Sequence, residues 1–217
     1  MYLRRVLACF IDLLIVYTLS IMISRVDVCN PYYEQYNEYA TKYNELVEEK
    51  TSDFNNLDVS TLLKDTLPTV KKVNKYAFFY NIWYLGFFFL YFVVFQFFTG
   101  GQTLGKRLFN LKVVNNSEEE EDVKFNQLLR RSLFIGSGLF RGITVTLIIN
   151  TIVNLITFKS LDIYYVIFTG IGVIAFIYEI VFIFYYMFNK KHRGINDIIG
   201  GTKVIDLRKW FLITFFL

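Results

Sequence analysis

Four long apolar stretches, separated by charged segments, dominate the hydrophobic pattern of the chain. They cover approximately residues 6–24, 77–98, 132–158 and 163–188. A helix needs about 20 apolar residues to cross the hydrocarbon of a bilayer, and each stretch reaches that length. The pattern therefore predicts an all-α, polytopic membrane protein with four transmembrane helices.

The composition agrees with a membrane protein. Of the 217 residues, 54% are hydrophobic and only 19% are charged, whereas soluble domains average about 25% charged residues. The chain has two Cys and one His, too few for the usual zinc site of about four ligands, and we expect no metal or cofactor. A final apolar patch, 210–217, is too short to span and is expected either at the membrane interface or packed on the bundle.

Lys and Arg are unevenly distributed between the segments that join the spans. The segments 1–5, 99–131 and 189–217 hold 14 of them, whereas 25–76 and 159–162 hold eight. Lys and Arg collect on the cytoplasmic side of membrane proteins. We therefore predict a multi-pass cell-membrane protein with both termini cytoplasmic, a cytoplasmic loop between the second and third spans, and a cytoplasmic C-terminal segment.

Residues 26–76 form a polar insertion between the first and second spans. Tyr, Leu and Val recur there at helical spacing between Glu residues, which predicts an amphipathic helix over 31–50. A second helical piece is predicted over 57–67, ending at Pro68 because proline breaks helices. The insertion is either a helical hairpin packed on itself or on the membrane surface, or a docking face, 32–50, for an extracytoplasmic partner.

An internal similarity relates residues 103–115 to residues 194–206 at an offset of 91. The same offset superposes the second span on the fourth, which predicts two parallel repeats of a two-helix unit. Each block follows or contains a Gly pair and ends in β-branched residues, which favours a short strand. The alternative for the first block is an amphipathic re-entrant helix over Leu104, Leu108 and Leu111.

Three ionisable residues, Asp12, Arg141 and Glu179, fall inside the predicted spans. At about 1.5 Å per helical residue, all three lie in the cytoplasmic half at similar depth, so they can meet between helices. One interpretation is an ion path in which the two carboxylates bind a cation or a proton. The other is an ion-paired cluster that only fixes helix packing.

Four boundary segments resemble the RDD family of membrane proteins. In chain order they are RRVLACFID, GGQTLGKRLFNLKVV, LLRRSL and HRGINDIIGGTKV. The resemblance implies a single membrane domain over 1–217 and a role in transport, which has been suggested for the family. The family-motif residues that it assigns here are Arg5, Asp12, Gly105, Lys106, Asp197 and Thr202.

The last motif departs from the family pattern, because Asn196 stands where the family often has a His before its Asp. Asp197 itself has two interpretations. It caps a short helix after the fourth span, or it pairs with Arg5 or Lys106 at the cytoplasmic mouth and works with Asp12.

The predicted function is transport-related, with cation or proton movement through the polar cluster. The alternative is a non-transporting scaffold or assembly factor that docks a partner through its outer loop. No P-loop, nucleophile elbow or HExxH motif is present, so we expect no enzymatic activity and no nucleic-acid partner. Four spans are few for a complete transport path, which makes a homodimer one expected arrangement.

Overall fold

The computed structural model describes most of the chain. The described residues are 2–52, 59–117, 121–135, 144–156, 160–189 and 193–208. Two sequence predictions, the position of Arg141 between helices and the placement of the apolar patch 210–217, lie outside them.

The described residues are mostly helical. In chain order the elements are α1 (Tyr2–Ser24), α2 (Tyr33–Thr51), α3 (Val59–Tyr76), α4 (Phe78–Phe89), a π-helical segment (Leu90–Phe95), α5 (Gln96–Phe98), α6 (Leu104–Leu108), β1 (Leu111–Asn115), α7 (Phe125–Leu133), α8 (Thr144–Leu155), α9 (Leu161–Phe188), α10 (Ile195–Gly200) and β2 (Thr202–Asp206). The predicted all-α class therefore describes most of the fold, to which the structure adds one small sheet.

Three helices in the described part of the chain are long and apolar enough to cross a bilayer. They are Leu3–Ser24, Phe78–Phe98 and Leu161–Phe182, and they match the first, second and fourth predicted spans. Within the third predicted span, 132–158, the structure describes α8, which has 12 residues. The count of four spans therefore stays a prediction.

The polar insertion contains an antiparallel hairpin of α2 and α3. Near its open end the ring of Tyr39 stacks on that of Tyr76 with centroids 5.6 Å apart. The predicted break at Pro68 is wrong, because α3 continues through this residue to Tyr76. Proline removes the N–H that would bond the carbonyl of Lys64, but both residues are exposed, so water can bind that carbonyl.

The two similar blocks meet in a two-stranded antiparallel sheet of β1 and β2. The first block forms the predicted strand, which begins at Leu111. The alternative helix over Leu104, Leu108 and Leu111 is wrong in its extent, because the short helix α6 ends at Leu108. Gly101, at φ 91°, turns the chain so closely against the backbone of Val113 that a side chain would overlap it. The sheet packs on a small apolar core that includes Ala8, Val93, Leu111, Val113, Val123, Leu128 and Val204.

The bundle has two distinguishable ends. The sheet end carries β1, β2, α6, α7 and α10, and the hairpin end carries α2 and α3. The helix α1 begins at the sheet end, where Arg4 forms an ion pair with Asp206. The helix α9 begins at the hairpin end, where the Asn74 side chain donates a 3.0 Å hydrogen bond to the Tyr164 hydroxyl.

Candidate functional site

The short helix α6 docks directly on the backbone of α1. Its contact residue is Gly105, where an added Cβ would overlap the carbonyl oxygen of Ala8 and lie 2.8 Å from Oδ1 of Asp12. Only glycine permits this approach, which brings the Gly105 N–H to 2.8 Å from the same Oδ1. The family-motif glycine therefore positions α6 over the carboxylate of α1.

Asp12 is fully buried and accepts hydrogen bonds from several elements. Thr103 Oγ1, just before α6, donates to Oδ2 at 2.5 Å, and the Tyr91 hydroxyl donates to Oδ1 at 2.7 Å. The ammonium of Lys106 lies 3.7 Å from Oδ2. A buried carboxylate is costly unless it is paired and hydrogen-bonded, and Asp12 meets both conditions.

Lys106 is buried beside Asp12. Its Nζ donates a 3.1 Å hydrogen bond to Thr103 Oγ1 and lies 5.6 Å from the centre of the Phe92 ring. Burial lowers the pKa of Lys106 to about 8; the Asp12 carboxylate opposes this shift, and the Arg131 guanidinium adds to it. The lysine therefore occupies a site where its charged form is disfavoured.

Asp197 both caps a short helix and pairs with Arg5, while a joint role with Asp12 at the cytoplasmic mouth stays a prediction. Its Oδ2 accepts the Gly194 N–H at 3.1 Å, which caps the start of α10. Its carboxylate also lies 3.0 Å from Arg131 Nε and 3.9 Å from Arg5 Nη1, while the Thr202 hydroxyl donates to Oδ1 at 3.4 Å. Lys106 pairs with Asp12 instead.

The basic start of α1 connects the Asp197 site to the sheet. Arg5 donates a 2.7 Å hydrogen bond to the carbonyl oxygen of Val204 in β2, and Arg4 donates to that of Phe109, just before β1. All six family-motif residues thus lie around the first turns of α1, at the sheet end of the bundle.

Sequence reasoning missed three residues of this site: Tyr91, Thr103 and Arg131. Thr103 had a usable signal, since threonine before a helical segment is a favoured N-cap, and its hydroxyl accepts the Lys106 N–H at 3.4 Å. Arg131 falls within the family-like segment LLRRSL, but it was not assigned as a site residue, although it is 6% exposed. Tyr91 carried no signal that separates it from neighbouring aromatic residues.

Glu179 lies in different surroundings from Asp12. It lines a cavity of about 720 Å³ bounded by α4, α8 and α9, which extends to α2 and α3 at the hairpin end. Asp12 is enclosed instead by α1, α6 and the π-helical segment. The single cluster of Asp12, Arg141 and Glu179 stays a prediction, because Arg141 lies outside the described residues. The polar side chains of the cavity are those of Tyr36, Asn74, Tyr80, Asn81, Thr146, Asn150, Thr169 and Glu179.

A chain of hydrogen bonds joins three helices beside this cavity. From the hairpin, Asn74 donates to the Tyr164 hydroxyl, which itself donates to Asn154 Oδ1 at 2.9 Å. The Asn154 amide donates to Asn150 Oδ1 at 3.4 Å, one turn away on α8. Tyr164 is buried, so this chain attaches α3 and α8 to the start of α9.

Apolar helices of spanning length around a buried polar centre define a helical membrane protein. Within this class, the sequence profile of the RDD family matches residues 2–201, and the chain belongs to that family. Comparisons with curated proteins and with solved structures give no match.

Proposed function

We propose that this RDD-family protein moves protons or a small monovalent cation across the membrane. The observation that carries the proposal is the cavity between α4, α8 and α9, which combines one carboxylate, Glu179, with neutral amides and hydroxyls. Ionisable side chains inside membrane helices are costly and mark ion and proton pathways.

The size and direction of the cavity fit a hydrated ion. Its lining on α9 extends from Phe168 to Glu179, which corresponds to about 16 Å along the helix axis and about half of a 30 Å hydrocarbon core. Its volume of about 720 Å³ has room for an ion with several waters, since each water takes about 30 Å³ of liquid volume. Amide and hydroxyl oxygens are suitable ligands for a hard cation.

In this proposal Asp12 and Glu179 have different roles. Asp12 is saturated by the Thr103, Tyr91 and Gly105 donors and by Lys106, so it holds α6 on α1. Glu179, which faces the cavity, is the carboxylate that binds the moving ion.

We also propose that the chain crosses the cell membrane four times, with both termini cytoplasmic. The ion pair of Arg4 with Asp206 supports an even number of crossings, because it joins residues near the two ends of the chain. Helix α7 packs on α10 at the sheet end, whereas α9 begins at the hairpin end. Between them in the chain, α8 packs on α7 and on α3 of the hairpin. The excess of Lys and Arg near the sheet end favours the cytoplasm for that end.

The two-repeat interpretation belongs to the same proposal. In both blocks a short helix precedes a strand, as α6 precedes β1 and α10 precedes β2. Helix α6 packs on α1, and α10 packs on α7 in the same way. An added Cβ would overlap the Ala8 carbonyl oxygen at Gly105 and lie 2.9 Å from Arg131 Cβ at Gly200, so both helices approach their partners closely at a glycine.

Reconstitution tests the transport proposal. Wild-type protein is placed in liposomes that contain a pH-sensitive dye, and an outward gradient of Na⁺ or K⁺ is imposed. We expect the internal pH to change faster than in protein-free liposomes for at least one cation or for a pure proton gradient. The rival, a non-transporting scaffold, predicts equal rates under all gradients and a co-purifying partner that is lost when residues 32–50 are deleted.

A further inference from the structure

The sheet end buries more positive than negative charge. The side chains of Arg5, Lys106 and Arg131 are at most 11% exposed, and those of Asp12 and Asp197 at most 4%. Asp206, at 9%, is paired with Arg4, at 21%, so this pair adds no net charge. Three cations therefore share this site with two carboxylates. A buried charge without a counter-charge is costly, and in proteins such a group shifts its pKa and becomes neutral instead.

Only one of these three cations can lose its charge at an accessible pH. Arginine remains protonated in proteins because its pKa exceeds about 12, whereas lysine readily becomes neutral when buried. Two other titratable groups lie near Lys106. The Cys9 thiol on α1 is close enough to interact with the ammonium electrostatically, and the Tyr91 hydroxyl donates a hydrogen bond to Asp12, the carboxylate that pairs with Lys106. Both are neutral at ordinary pH, so they do not balance the excess.

We propose that Lys106 is a proton-exchange site of the folded protein. One N–H bond of the ammonium breaks, the proton passes to water, and the bonding pair remains on Nζ as the lone pair of a neutral amine. The reverse step restores the ammonium and takes the proton from water.

The geometry accommodates both protonation states of Lys106. Thr103 Oγ1 donates its own proton to Asp12, so it accepts the hydrogen bond from Nζ, and a neutral amine keeps two N–H groups for that bond. Asp12 retains the donors from Thr103, Tyr91 and Gly105 when the ammonium is gone. Both groups therefore keep hydrogen-bond partners in either state, and the pKa of Lys106 near 8 agrees with this exchange.

An NMR titration of the protein in lipid nanodiscs tests the inference without requiring any transport activity. Lysine labelled with ¹³C at Cε is followed from about pH 6 to about pH 11, a window that contains the usual lysine pKa of about 10.4. We expect one lysine signal to titrate near pH 8 and to be missing in Lys106→Arg. The inference is overturned if every lysine signal titrates above about pH 10, a result that the wild-type protein alone can give.

Two charge-removing variants separate proton exchange from a merely buried lysine. Asp12→Asn removes the neighbouring negative charge and should lower the pKa of Lys106, whereas Arg131→Gln removes a positive charge and should raise it, each by about 1 unit. Asp162→Asn, at the start of α9, is the control and should leave it unchanged. If the two variants do not shift this pKa in opposite directions, Lys106 is not governed by the charge imbalance and the inference fails.

Discussion

Val113 in β1 lies directly opposite Val204 in β2, at the centre of the antiparallel ladder. These two residues are also equivalent in the internal repeat, because they are 91 positions apart. An antiparallel pair whose central residues are repeat equivalents has local two-fold symmetry. The pairing thus supplies the geometry that two repeats about one axis would need.

A disulfide between positions 113 and 204 tests this pairing. Directly opposed residues of an antiparallel ladder have Cα atoms about 4.5–5.5 Å apart, which lies within the range for disulfides. In a background with Cys9→Ser and Cys29→Ser, we expect Val113→Cys with Val204→Cys to cross-link under mild oxidation. Mass spectrometry of the digested protein detects the bridge.

The matched control replaces Ile205 rather than Val204. Adjacent residues of a strand point to opposite faces of the sheet, so Val113→Cys with Ile205→Cys should cross-link much more slowly. Equal cross-linking of the two pairs would contradict the observed register.

Gly105 offers a test of how α6 docks. Gly105→Ala places a methyl group against the Ala8 carbonyl and the Asp12 carboxylate, and overpacking of this kind costs about 1–3 kcal/mol. We expect a clear decrease in the thermal unfolding temperature in detergent. Gly86→Ala is the control, because its Cβ would meet no atom within 4 Å. Unfolding of both variants at the same temperature would be inconsistent with tight docking of α6 on α1.

From the ion pair of Asp206 with Arg4 we predict that the folded protein loses stability in acid. Burial raises the pKa of the Asp206 carboxyl, but the hydrogen bond from Arg4, the hydrogen bond from the Arg208 N–H and the charges of both arginines outweigh this effect, so the pKa lies below its ordinary value. A carboxyl whose pKa is lower in the folded state stabilises the protein above its unfolded pKa, and this contribution is lost as the pH falls through the folded value. Between about pH 5 and about pH 3, wild type should lose more stability than Asp206→Asn.

Thermal unfolding across this pH range measures the effect. Asp27→Asn serves as the control because Asp27 is exposed and lies at the other end of α1, and it should follow wild type. If Asp206→Asn shows the same acid sensitivity as wild type, the Arg4 pair does not contribute in this way.

Hydropathy alone located α1, the helix from Phe78 to Phe98, and α9, because a membrane requires long apolar segments. The alternation of polar and apolar residues near the two glycine pairs also indicated the strands β1 and β2. Asp12 and Glu179 were placed at similar depth, but depth does not determine which helices a side chain faces. The two carboxylates have different surroundings because α6 docks on α1 beside Asp12. This docking requires the contact between Gly105 and Ala8, which the hydrophobic periodicity of the sequence does not indicate.

The continuation of α3 through Pro68 was missed for a related reason. The proline rule assumes that a freed carbonyl remains unsatisfied, but the exposure of Lys64 removes that cost. Likewise, the burial of Arg131 depends on its pairing with Asp197 from a distant part of the chain. A single sequence does not reveal such a pair.

The most direct test of the transport account compares Glu179→Gln with Asp162→Asn in the proteoliposome assay. Both variants neutralise one carboxylate on α9, but only Glu179 lines the cavity. We predict that Glu179→Gln lowers the gradient-driven flux at least about tenfold, a barrier change of about 1.4 kcal/mol, while Asp162→Asn retains the wild-type rate. Wild-type flux through Glu179→Gln would contradict the assignment of the cavity as the ion route.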